Sequence, residues 1–372
     1  MVRRYTILLL IPHLGGGGAE RVMAHLARSL PSDRFTIHLG LITRTSRSRE
    51  SFPSHVHLHR VNAGRVLFGA VGLVRLVRKT KPDLILSGMF HLNFLVLLLK
   101  PFFPRATRIL VRQNGMLSAW PRHSPRLGRL LYRLIYPYAD GIVSQTHAMA
   151  DELQDCLGSQ SRTQSRIHVL PNPVDSDGIR QGCKPSPKWT DPGPHLLAIG
   201  RLSPEKGFDL LLEAFASIRI AYSSATLTVL GDGPERHALE TRSATLGLGS
   251  STKFEGHVSD PFSWFAGAAL LVIPSRCEAL PNVLLEGAAA GLPIVATPCS
   301  ACVTQLLQNQ PGTWLAQEVS SGALAHSLDA ALTILGPGER FSHPWIAPFH
   351  LSEAVGAYEN LILETLALEA RQ

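Results

Sequence analysis

Residues 274–291 read PSRCEALPNVLLEGAAAG, and the apolar run ALLVI stands directly before them. The run has the length of a buried strand, whereas the segment after Pro281 has the composition of a helix that stops at Gly291. The stretch therefore predicts a strand, a short loop and a helix. In open α/β sheets, ligands bind where strands end, and the start of a helix there attracts anions. We expect Glu278 to lie on this loop and Glu286 one turn inside the helix.

Two carboxylates beside an anion-binding helix start suit a ligand that also carries hydroxyl groups, because carboxylates accept strong hydrogen bonds from hydroxyls. A sugar nucleotide offers both hydroxyls and phosphates. The alternative is structural: Glu278 caps the helix, and Glu286 is solvated on its outer face.

The first half of the chain starts with the same kind of unit. A strand, TILLLIPHL, leads into four glycines, Gly15 to Gly18, and then into AERVMAHLARSL, whose apolar residues recur at helical spacing. Such a glycine turn lets a ligand approach the backbone while the helix start attracts a phosphate. It does not have the GxGxxG spacing, because Glu20 takes the last position, and the next strand ends at Thr43 and Arg44 without an acidic residue. Both departures argue against a dehydrogenase.

Three further apolar runs in the first half end in polar or small residues, and helix-compatible stretches separate them. They are KPDLILSGMF (81–90), TRILVRQNG (107–115) and ADGIVSQT (139–146). This alternation predicts a doubly wound parallel sheet. We expect a first domain over residues 1–175.

The segment that follows is rich in proline and short polar residues, so we expect a linker over residues 176–193. A second α/β domain is expected over residues 194–350. It opens with HLLAIGRLSPEKGFDLLLEAF, a strand, a loop and a helix, and the loop carries Arg201 and Lys206. Two cations beside a helix start can clamp a diphosphate without a metal, although Lys206 could also be an ordinary surface charge.

Charge is divided unevenly between the two halves. Residues 1–175 hold 24 Lys/Arg and 9 Asp/Glu, a net charge of +15, whereas residues 176–372 hold 12 and 19, a net charge of −7. In RVLFGAVGLVRLVRKTK (65–81) the basic residues stand among apolar ones without stacking aromatic residues. This pattern favours an anionic membrane surface over nucleic acid, and an ordinary amphipathic surface helix is the alternative.

Nothing in the sequence predicts a membrane span. The most apolar stretch, residues 92–104, is interrupted by Lys100 and Pro101 well short of the roughly 20 residues that a spanning helix needs. We interpret the apolar start of the chain as a strand rather than as a signal peptide. The five cysteines are odd in number and form no CxxC pair, which is typical of a reduced cytosolic protein.

Two patterns suggest metal ligands without being specific for them. His55, His57 and His59 alternate as they would on one face of a strand, where a polar outer face is the simpler explanation. Asp175 and Asp177 form a DxD pattern, but it lies beside the expected linker instead of at the end of a buried strand. We therefore expect no metal site.

Five motifs stand in order along the chain: GGGGAERV, PNPVD, IGRLSPEKG, VLGDGP, and the two glutamates Glu278 and Glu286 separated by seven residues. In these motifs the chain resembles glycosyltransferase family 4. The resemblance implies the GT-B fold, in which two Rossmann-like doubly wound parallel-sheet domains face each other across a cleft. It also implies that the final helix, residues 351–372, packs back on the first domain. Members of such families transfer a sugar from a nucleotide diphosphate with retention, usually without a metal or another cofactor.

Carried onto this sequence, the resemblance assigns roles to residues of both domains. Arg201 and Lys206 would bind the donor diphosphate and stabilise the leaving nucleotide. Glu278 would bind the donor sugar and Glu286 the ribose, and Arg201, Lys206 and Glu278 would be catalytic. The other expected donor contacts are Gly16, Gly17, Gly18, Gly256, Val258, Ala279, Leu280, Pro281 and Asn282.

One departure from the family concerns the loop after LVRQNG. Many relatives carry a histidine there, but this chain has Gln113 and Asn114, and neither side chain acts as an acid or base at neutral pH. Gln113 could orient the sugar, or His91 could approach from a neighbouring strand end, so these three residues are possible sugar or acceptor contacts.

The expected function is transfer of a hexose or N-acetylhexosamine from a nucleotide diphosphate sugar, with UDP as the preferred nucleotide, to a lipid-linked or cell-surface glycan. The basic first half fits a lipid diphosphate acceptor and a cytoplasmic, peripheral location on the inner face of the cell membrane. Two alternatives are a UDP-N-acetylhexosamine epimerase of the same architecture and a nucleotide-sugar-binding protein without turnover. Nucleic acid is not an expected partner, because the basic half contains no motif that reads it.

Overall fold

The computed structural model describes residues 4–15, 17–44, 51–117, 125–158, 166–184 and 193–367. The chain divides into two compact units. The first unit comprises Met1–Val174 and Pro348–Gln372, and the second comprises Asp175–Ala347.

The described part of the first unit contains a sheet of seven parallel strands. Its strands are β1 (Tyr5–Ile11), β2 (Phe35–Thr43), β3 (Val56–Ala63), β4 (Leu84–Gly88), β5 (Arg108–Arg112), β6 (Gly141–Ser144) and β7 (Ile167–Val169). Its helices are α1 (Gly18–Ser29), α2 (Ala70–Thr80), α3 (Phe90–Leu99), α4 (Pro125–Ile135), α5 (His147–Leu157) and, at the end of the chain, α13 (Leu351–Ala367). The strand order is β3-β2-β1-β4-β5-β6-β7, so the winding reverses between β1 and β4.

Strand β1 lies in the middle of this sheet and is covered on both faces. Its residues Ile7 to Ile11 are all fully buried. Ile7 and Leu9 belong to a core cluster that contains α1 and α13, whereas Leu8 and Leu10 belong to the cluster under α2, α3 and α4. This explains why the strand reads as a continuous apolar run rather than an alternating one.

The final helix α13 is part of the first unit. Its residues Val355, Tyr358 and Ile362 pack in one core cluster with residues of α1 and β1. The hydroxyl of Tyr358 accepts a hydrogen bond of 3.0 Å from the fully buried Arg112 at the end of β5. Arg112 also donates to the side-chain oxygen of Asn172, at 2.6 Å.

The described part of the second unit contains a sheet of six parallel strands. Its strands are β8 (His195–Ile199), β9 (Thr226–Leu230), β10 (Thr252–Gly256), β11 (Leu270–Ile273), β12 (Ile294–Ala296) and β13 (Thr313–Leu315). Its helices are α6 (Ser176–Gly182), α7 (Phe208–Ile218), α8 (Arg236–Thr245), α9 (Phe262–Phe265), α10 (Asn282–Ala289), α11 (Ala301–Leu307) and α12 (Ser321–Ile334). The order β10-β9-β8-β11-β12-β13 reverses between β8 and β11. The prediction of two doubly wound parallel sheets is confirmed.

The expected linker over residues 176–193 is wrong in its first part, because residues 176–182 form helix α6 of the second unit. The Asp175 carboxylate caps this helix by accepting a hydrogen bond of 2.9 Å from the Gly178 N–H, and Ile179 is buried. The proline-rich residues 185–192 lie outside the described residues. The cap also gives Asp175 a structural role, and Asp177 is an exposed residue 3.8 Å from Arg180.

Two of the three alternating histidines, His57 and His59, belong to a stack of imidazole rings. His57 and His59 of β3 both stack on His38 of the neighbouring strand β2, with ring centroids 4.9 and 5.0 Å away. His38 Nδ1 lies 2.8 Å from His59 Nε2, a hydrogen-bond distance. Among the residues that the structure describes, no group of histidine, cysteine, aspartate or glutamate side chains is arranged to hold a metal.

All five cysteines are free thiols. Across the described ranges, every helix is too short or too polar to cross a membrane.

We expect His38→Phe to make the protein less sensitive to acid. Burial, together with His59 and His57, lowers the pKa of His38 from 6.5 to about 4. The unfolded chain therefore binds more protons than the folded protein between these values, and stability falls as the pH falls through this window. The variant should show a smaller drop in melting temperature than the unchanged protein when neutral buffer is replaced by buffer of about pH 5. The control is His237→Phe, at an exposed position of α8. Equal drops in melting temperature in the wild-type protein and in both variants would refute the expectation.

Candidate functional site

The candidate site of the second unit lies where its winding reverses. The loops after β8 and β11 both leave the carboxyl edge of the sheet at this point, where α/β proteins bind their ligands. The first loop carries Arg201 and Lys206, and the second carries Glu278 and leads into α10.

A glycine lets these two loops touch. Residues 204–206 form a 3₁₀ turn that ends at Gly207, whose φ is +66°. A Cβ atom on Gly207 would lie 2.1 Å from the carbonyl oxygen of Pro274. The position therefore needs glycine both for its left-handed backbone and for the close approach of the second loop.

Arg276 fastens the same two loops. Its guanidinium donates a bidentate pair of hydrogen bonds, each of 2.6 Å, to the Asp209 carboxylate, and another of 3.0 Å to the Pro204 carbonyl. Its backbone N–H donates to the carbonyl of Glu205 at 2.8 Å. The hydrogen bonds from Arg276 lower the pKa of Asp209, so the carboxylate stays charged and the bidentate pair is strong. Sequence analysis missed Arg276 and Asp209, because an ion pair between residues so distant in sequence leaves no local pattern.

The fastened loops bring Lys206 and Glu278 together. Lys206 Nζ lies 2.8 Å from Oε2 of Glu278, and the two side chains are only 24% and 16% exposed. Ser275 donates a hydrogen bond of 2.5 Å to the other carboxylate oxygen. Helix α10 begins at Asn282 with Pro281 as its N-cap residue, so the alternative in which Glu278 caps the helix is wrong. Burial and the neighbouring Glu278 carboxylate raise the pKa of Cys299 to about 12, so this residue remains a thiol.

Arg201 and Glu286 differ sharply in exposure. The Arg201 side chain is exposed, and among the described residues it has no hydrogen-bond or ion-pair partner. Glu286 is 6% exposed, so the alternative in which it is solvated on the outer face of the helix is wrong. The structure thus places a free guanidinium and a buried carboxylate at the edge that carries the Lys206–Glu278 pair.

The remaining expected contacts of the second unit lie on the same edge. Ala279, Leu280 and Pro281 are buried in the loop before α10, and Asn282 is half-buried at its first position. Gly256 ends β10 with φ at +74°, and its carbonyl accepts a hydrogen bond of 2.7 Å from the Gly231 N–H.

Gly231 in turn lies against the loop after β8. A Cβ atom on Gly231 would lie 1.8 Å from the Gly200 carbonyl oxygen. The ends of β8, β9 and β10 are therefore in close contact, and the half-buried Val258 follows two residues after the end of β10.

At the glycine turn of the first unit, Gly17 is the N-cap residue of α1 and Gly18 its first residue, whereas Gly16 lies outside the described residues. Glu20, buried in the first turn of α1, folds back over the helix start: a Cβ atom on Gly17 would lie 2.4 Å from a Glu20 carboxylate oxygen. His13 Nδ1 lies 3.5 Å from the other oxygen. This helix start already faces a carboxylate of its own chain, which sequence analysis did not foresee.

Gln113 is occupied within the first unit. It is 5% exposed, and its side-chain oxygen accepts hydrogen bonds of 3.1 Å from the hydroxyls of both Tyr132 and Tyr136. Its amide nitrogen donates to the Gly115 carbonyl at 2.8 Å. Burial raises the pKa of both tyrosines, that of Tyr136 to about 12, so both remain donors. Gln113 therefore holds the loop in place through its own hydrogen bonds.

His91 and Asn114 follow neighbouring strands of the same sheet. Asn114 is half-buried, comes two residues after the end of β5, and accepts a hydrogen bond from Arg112. His91 is exposed at the second position of α3, after the end of β4. The protein surrounding His91 and, to a smaller extent, the nearby His13 lower its pKa, so the imidazole is mainly neutral at neutral pH. Both residues therefore place a polar side chain that is not fully buried near the carboxyl edge of this sheet.

Comparison with known proteins assigns the chain to a family. A family model described as Glycosyltransferase Family 4 matches residues 16–177, and one described as Glycosyl transferases group 1 matches residues 193–334. The chain belongs to glycosyltransferase family 4. This confirms the resemblance that the motifs indicated.

Several curated relatives of this glycosyltransferase are moderately similar to it. The lipopolysaccharide core biosynthesis glycosyltransferase LpsE of Rhizobium meliloti is 27% identical over 77% of this chain and 77% of its own length. An N-acetylgalactosaminyltransferase of Campylobacter jejuni that is named for a diphospho-undecaprenol acceptor is 24% identical over 78% of this chain and 80% of its own length. An uncharacterized glycosyltransferase of Methanocaldococcus jannaschii is 25% identical over 65% of this chain, which matches 62% of that protein.

Solved structures confirm the fold of the glycosyltransferase. HepE of Anabaena, in complex with UDP and glucose, superposes with a TM-score of 0.75 at 18% identity, over 98% of this chain and 100% of its own. Sucrose-phosphate synthase of Thermosynechococcus elongatus has the same TM-score at 16% identity, over 99% of both chains. The glycosyltransferase has the GT-B fold, with one parallel-sheet α/β domain in each unit.

We expect Gly207→Ala to weaken binding at the candidate site by more than the backbone strain of the new alanine would explain. Gly247 provides the control, because its φ of +71° is similar but a Cβ atom there would meet nothing within 4 Å. Alanine at either position is strained by about 1 kcal/mol, whereas only the Gly207 variant must also push the loop at Pro274 away. Gly207→Ala should weaken nucleotide-sugar binding at least roughly tenfold, about 1.4 kcal/mol, and Gly247→Ala should leave it unchanged; calorimetric titration measures both. Equal affinities in the two variants would show that the contact of the loops is unimportant for the site.

Proposed function

We propose that this glycosyltransferase moves a hexose or N-acetylhexosamine from a UDP-sugar to a lipid-linked or cell-surface glycan, with retention and without a metal. We further propose that it works in the cytoplasm at the inner face of the cell membrane. The observation that carries the proposal is the grouping of Arg201, Lys206, Glu278 and Glu286 at the carboxyl edge of one sheet.

The two cations are the proposed diphosphate site. Arg201 is exposed without a partner among the described residues, and an arginine can bind two phosphate oxygens at once. Lys206 has three N–H donors, so it can keep its contact with Glu278 while it also binds a phosphate oxygen. Both side chains would stabilise the negative charge that develops on the leaving diphosphate. Together the two cations offset part of this charge, and on this ground we propose catalysis without a metal.

The carboxylates are the proposed recognition groups for the sugar and the ribose. Glu278 is held by Lys206 and Ser275, so its oxygens have fixed positions from which they accept hydrogen bonds from sugar hydroxyls. Glu286 is the proposed ribose contact, with the loop residues Ala279 to Asn282 beside the donor. The backbone at Gly256 and Val258 is proposed to lie near the base.

In the proposed reaction, the acceptor hydroxyl attacks the anomeric carbon from the side on which the diphosphate leaves. The bond between the anomeric carbon and the phosphate oxygen breaks, and the new glycosidic bond forms with the same stereochemistry. The acceptor proton passes to an oxygen of the leaving phosphate, so the step needs no nucleophile from the enzyme. Positioning and electrostatic stabilisation then supply the rate enhancement.

The first unit is proposed to contribute contacts to the sugar or the acceptor. His91 and Asn114 are the candidates, because both follow strand ends at one edge of the sheet. The roles of Gly16, Gly17 and Gly18 as donor contacts stay a prediction. If a phosphate binds there, it must be compatible with the Glu20 carboxylate at the same helix start.

The relatives support UDP and a lipid-linked acceptor. HepE is described in complex with UDP and glucose, and the Campylobacter relative is named for an acceptor on diphospho-undecaprenol. The net charge of +15 in the first 175 residues is suited to a lipid diphosphate.

A second candidate function is nucleotide-sugar binding without turnover. It is favoured by Gln113, which stands where many relatives carry a histidine. The Gln113 side chain is hydrogen-bonded to Tyr132, Tyr136 and Gly115. An epimerase of UDP-N-acetylhexosamine is the third candidate, and it would need no acceptor.

UDP release from a panel of UDP-sugars distinguishes the three candidates. We expect release that requires both one particular donor and an extract of polyprenyl-diphosphate-linked saccharides, and we expect Glu278→Ala to abolish it. Interconversion of free UDP-sugars without an acceptor would identify an epimerase instead. UDP binding without release in any combination would favour the binding protein.

Lys206→Ala should slow turnover more than it weakens donor binding. The ammonium group is most valuable when charge builds up on the leaving diphosphate, and loss of one such group typically costs 100-fold to 1,000-fold in kcat. The dissociation constant for UDP-sugar should change by less than about tenfold. Lys206→Arg, which keeps the charge, should recover part of the rate. Equal losses in kcat and in binding would reduce Lys206 to a docking residue.

A further inference from the structure

Large apolar side chains are exposed over one layer of the first unit. The layer consists of α2, α3 and α4 and of three 3₁₀ turns at residues 66–69, 100–102 and 136–138. The buried residues of α2, α3 and α4 share one core cluster, so these helices lie on the same side of the sheet. We call the exposed apolar residues of this layer the apolar face; each is between 51% and 76% exposed, and they are Leu67, Phe68, Val71, Leu98, Phe102, Leu130, Leu134 and Tyr138.

Hydrogen bonds join the segments of this layer side by side. Arg78 of α2 donates a hydrogen bond of 3.2 Å to the Phe102 carbonyl. Lys100 donates one of 2.7 Å to the carbonyl of Tyr138. The exposed rings of Phe102 and Tyr138 therefore belong to adjoining segments at one end of the helices, and Leu67 and Phe68 lie at the other end, where α2 begins.

The layer is also strongly basic. Residues 64–140 contain 13 Lys/Arg but only two acidic residues, Asp83 and Asp140. Both acids are used internally: Asp83 accepts a hydrogen bond from the Thr6 N–H at 2.7 Å, and Asp140 accepts from Lys100 at 2.9 Å and from two further donors. Helix α5, which shares this core cluster, adds Asp151, Glu152 and Asp155 and no basic residue, so the layer keeps an excess of basic over acidic residues without being free of acids.

Several of the basic side chains are open to solvent. Arg65, Arg75 and Arg129 are exposed, and none of them forms an ion pair with another described residue. They stand close in sequence to Leu67, Val71 and Leu130 of the apolar face. Apolar side chains among exposed arginines match the composition of a surface that inserts into the interface of an anionic bilayer.

A second copy of the chain fits this surface poorly. Two such layers facing each other would bring like charges together at an interface, which is costly. An anionic bilayer, in contrast, offers phosphate groups to the arginines and acyl chains to the apolar residues at the same time.

We propose that the apolar face is a membrane-docking surface, whose apolar side chains enter the acyl region of an anionic bilayer while Arg65, Arg75 and Arg129 bind lipid phosphates. The biological role of this docking rests on the proposed function, because docking would bring the enzyme to a lipid-linked acceptor. Docking itself needs no donor, no acceptor and no turnover.

Flotation with lipid vesicles tests the inference in the full-length protein without substrate. We expect binding to vesicles of phosphatidylcholine with phosphatidylglycerol and much weaker binding to phosphatidylcholine alone. The double variant Phe68→Ser/Leu134→Ser should lower the partition coefficient at least roughly tenfold. The variant Arg75→Gln/Arg129→Gln should lower it and also reduce its dependence on salt.

The matched control is Ile220→Ser/Ile334→Ser. It also removes two exposed apolar side chains, 90% and 70% exposed, but from the second unit, so it should bind vesicles as the unchanged protein does. Melting temperatures of all variants should agree, since every substituted residue is exposed.

Absence of binding to anionic vesicles would overturn the inference, and so would an equal loss of vesicle binding in the control and in the Phe68/Leu134 variant. A third contrary result is dimerisation: the wild-type protein forms concentration-dependent dimers in ultracentrifugation, and the Phe68/Leu134 variant forms none but still binds vesicles. The proposed function is measured separately, by UDP release with a detergent-solubilised acceptor. Vesicle binding without transfer would refute the proposed function but support the docking surface. Transfer without vesicle binding would support the proposed function but refute the docking surface.

Discussion

The Arg276 guanidinium holds together the two loops on which the candidate donor site is built. It forms a bidentate pair with Asp209 in the first turn of α7 and a further hydrogen bond to the Pro204 carbonyl. A carboxylate in that turn also lies favourably with respect to the helix dipole. Two loops that follow different strands thereby become one surface.

Because that surface is fixed, the placement of the functional side chains follows from backbone geometry. Gly207 lies against the Pro274 carbonyl without room for a Cβ atom, and the distance from Lys206 to Glu278 results from this contact. A lysine on an unconstrained loop would lose considerable side-chain entropy on forming one ion pair. Here the backbone has already limited where Lys206 can reach, so less freedom is lost when the pair forms or when a ligand binds beside it.

Much of the fold could be predicted from the sequence because its strands are buried on both faces. Runs such as Ile7 to Ile11 are apolar throughout for this reason, and the glycines and polar residues after them mark the edge where ligands bind. The linker was predicted too long, because composition showed its prolines but not the Asp175 cap that starts α6. The cap defines where α6 begins, and the buried Ile179 with the hydrogen bond from Arg180 to the Ala289 carbonyl ties the helix to the second unit.

The site was predicted less completely than the fold, for a physical reason. Local patterns predicted that Arg201, Lys206, Glu278 and Glu286 lie near this edge of the sheet, since each stands in a loop or in the first turns of a helix whose position the strands determine. They did not reveal Arg276 with Asp209, because a contact between distant segments depends on side-chain direction. The same limit applies to Gln113, which the sequence offered as a sugar contact and which the structure shows bound to two tyrosine hydroxyls.

The hydrogen bonds of Gln113 also show what a histidine at this position would change. An imidazole has one donor and one acceptor when neutral, whereas an amide has a carbonyl oxygen with two lone pairs and two N–H donors. The Gln113 oxygen accepts from Tyr132 and Tyr136 together, and a neutral imidazole could accept from only one of them. Burial keeps both tyrosines protonated, so a histidine at this position would lose one of the two hydrogen bonds that the Gln113 oxygen accepts. The two tyrosines and the glutamine therefore form one hydrogen-bonded unit, and of the three polar residues that the sequence offered here, His91 and Asn114 are the more exposed ones.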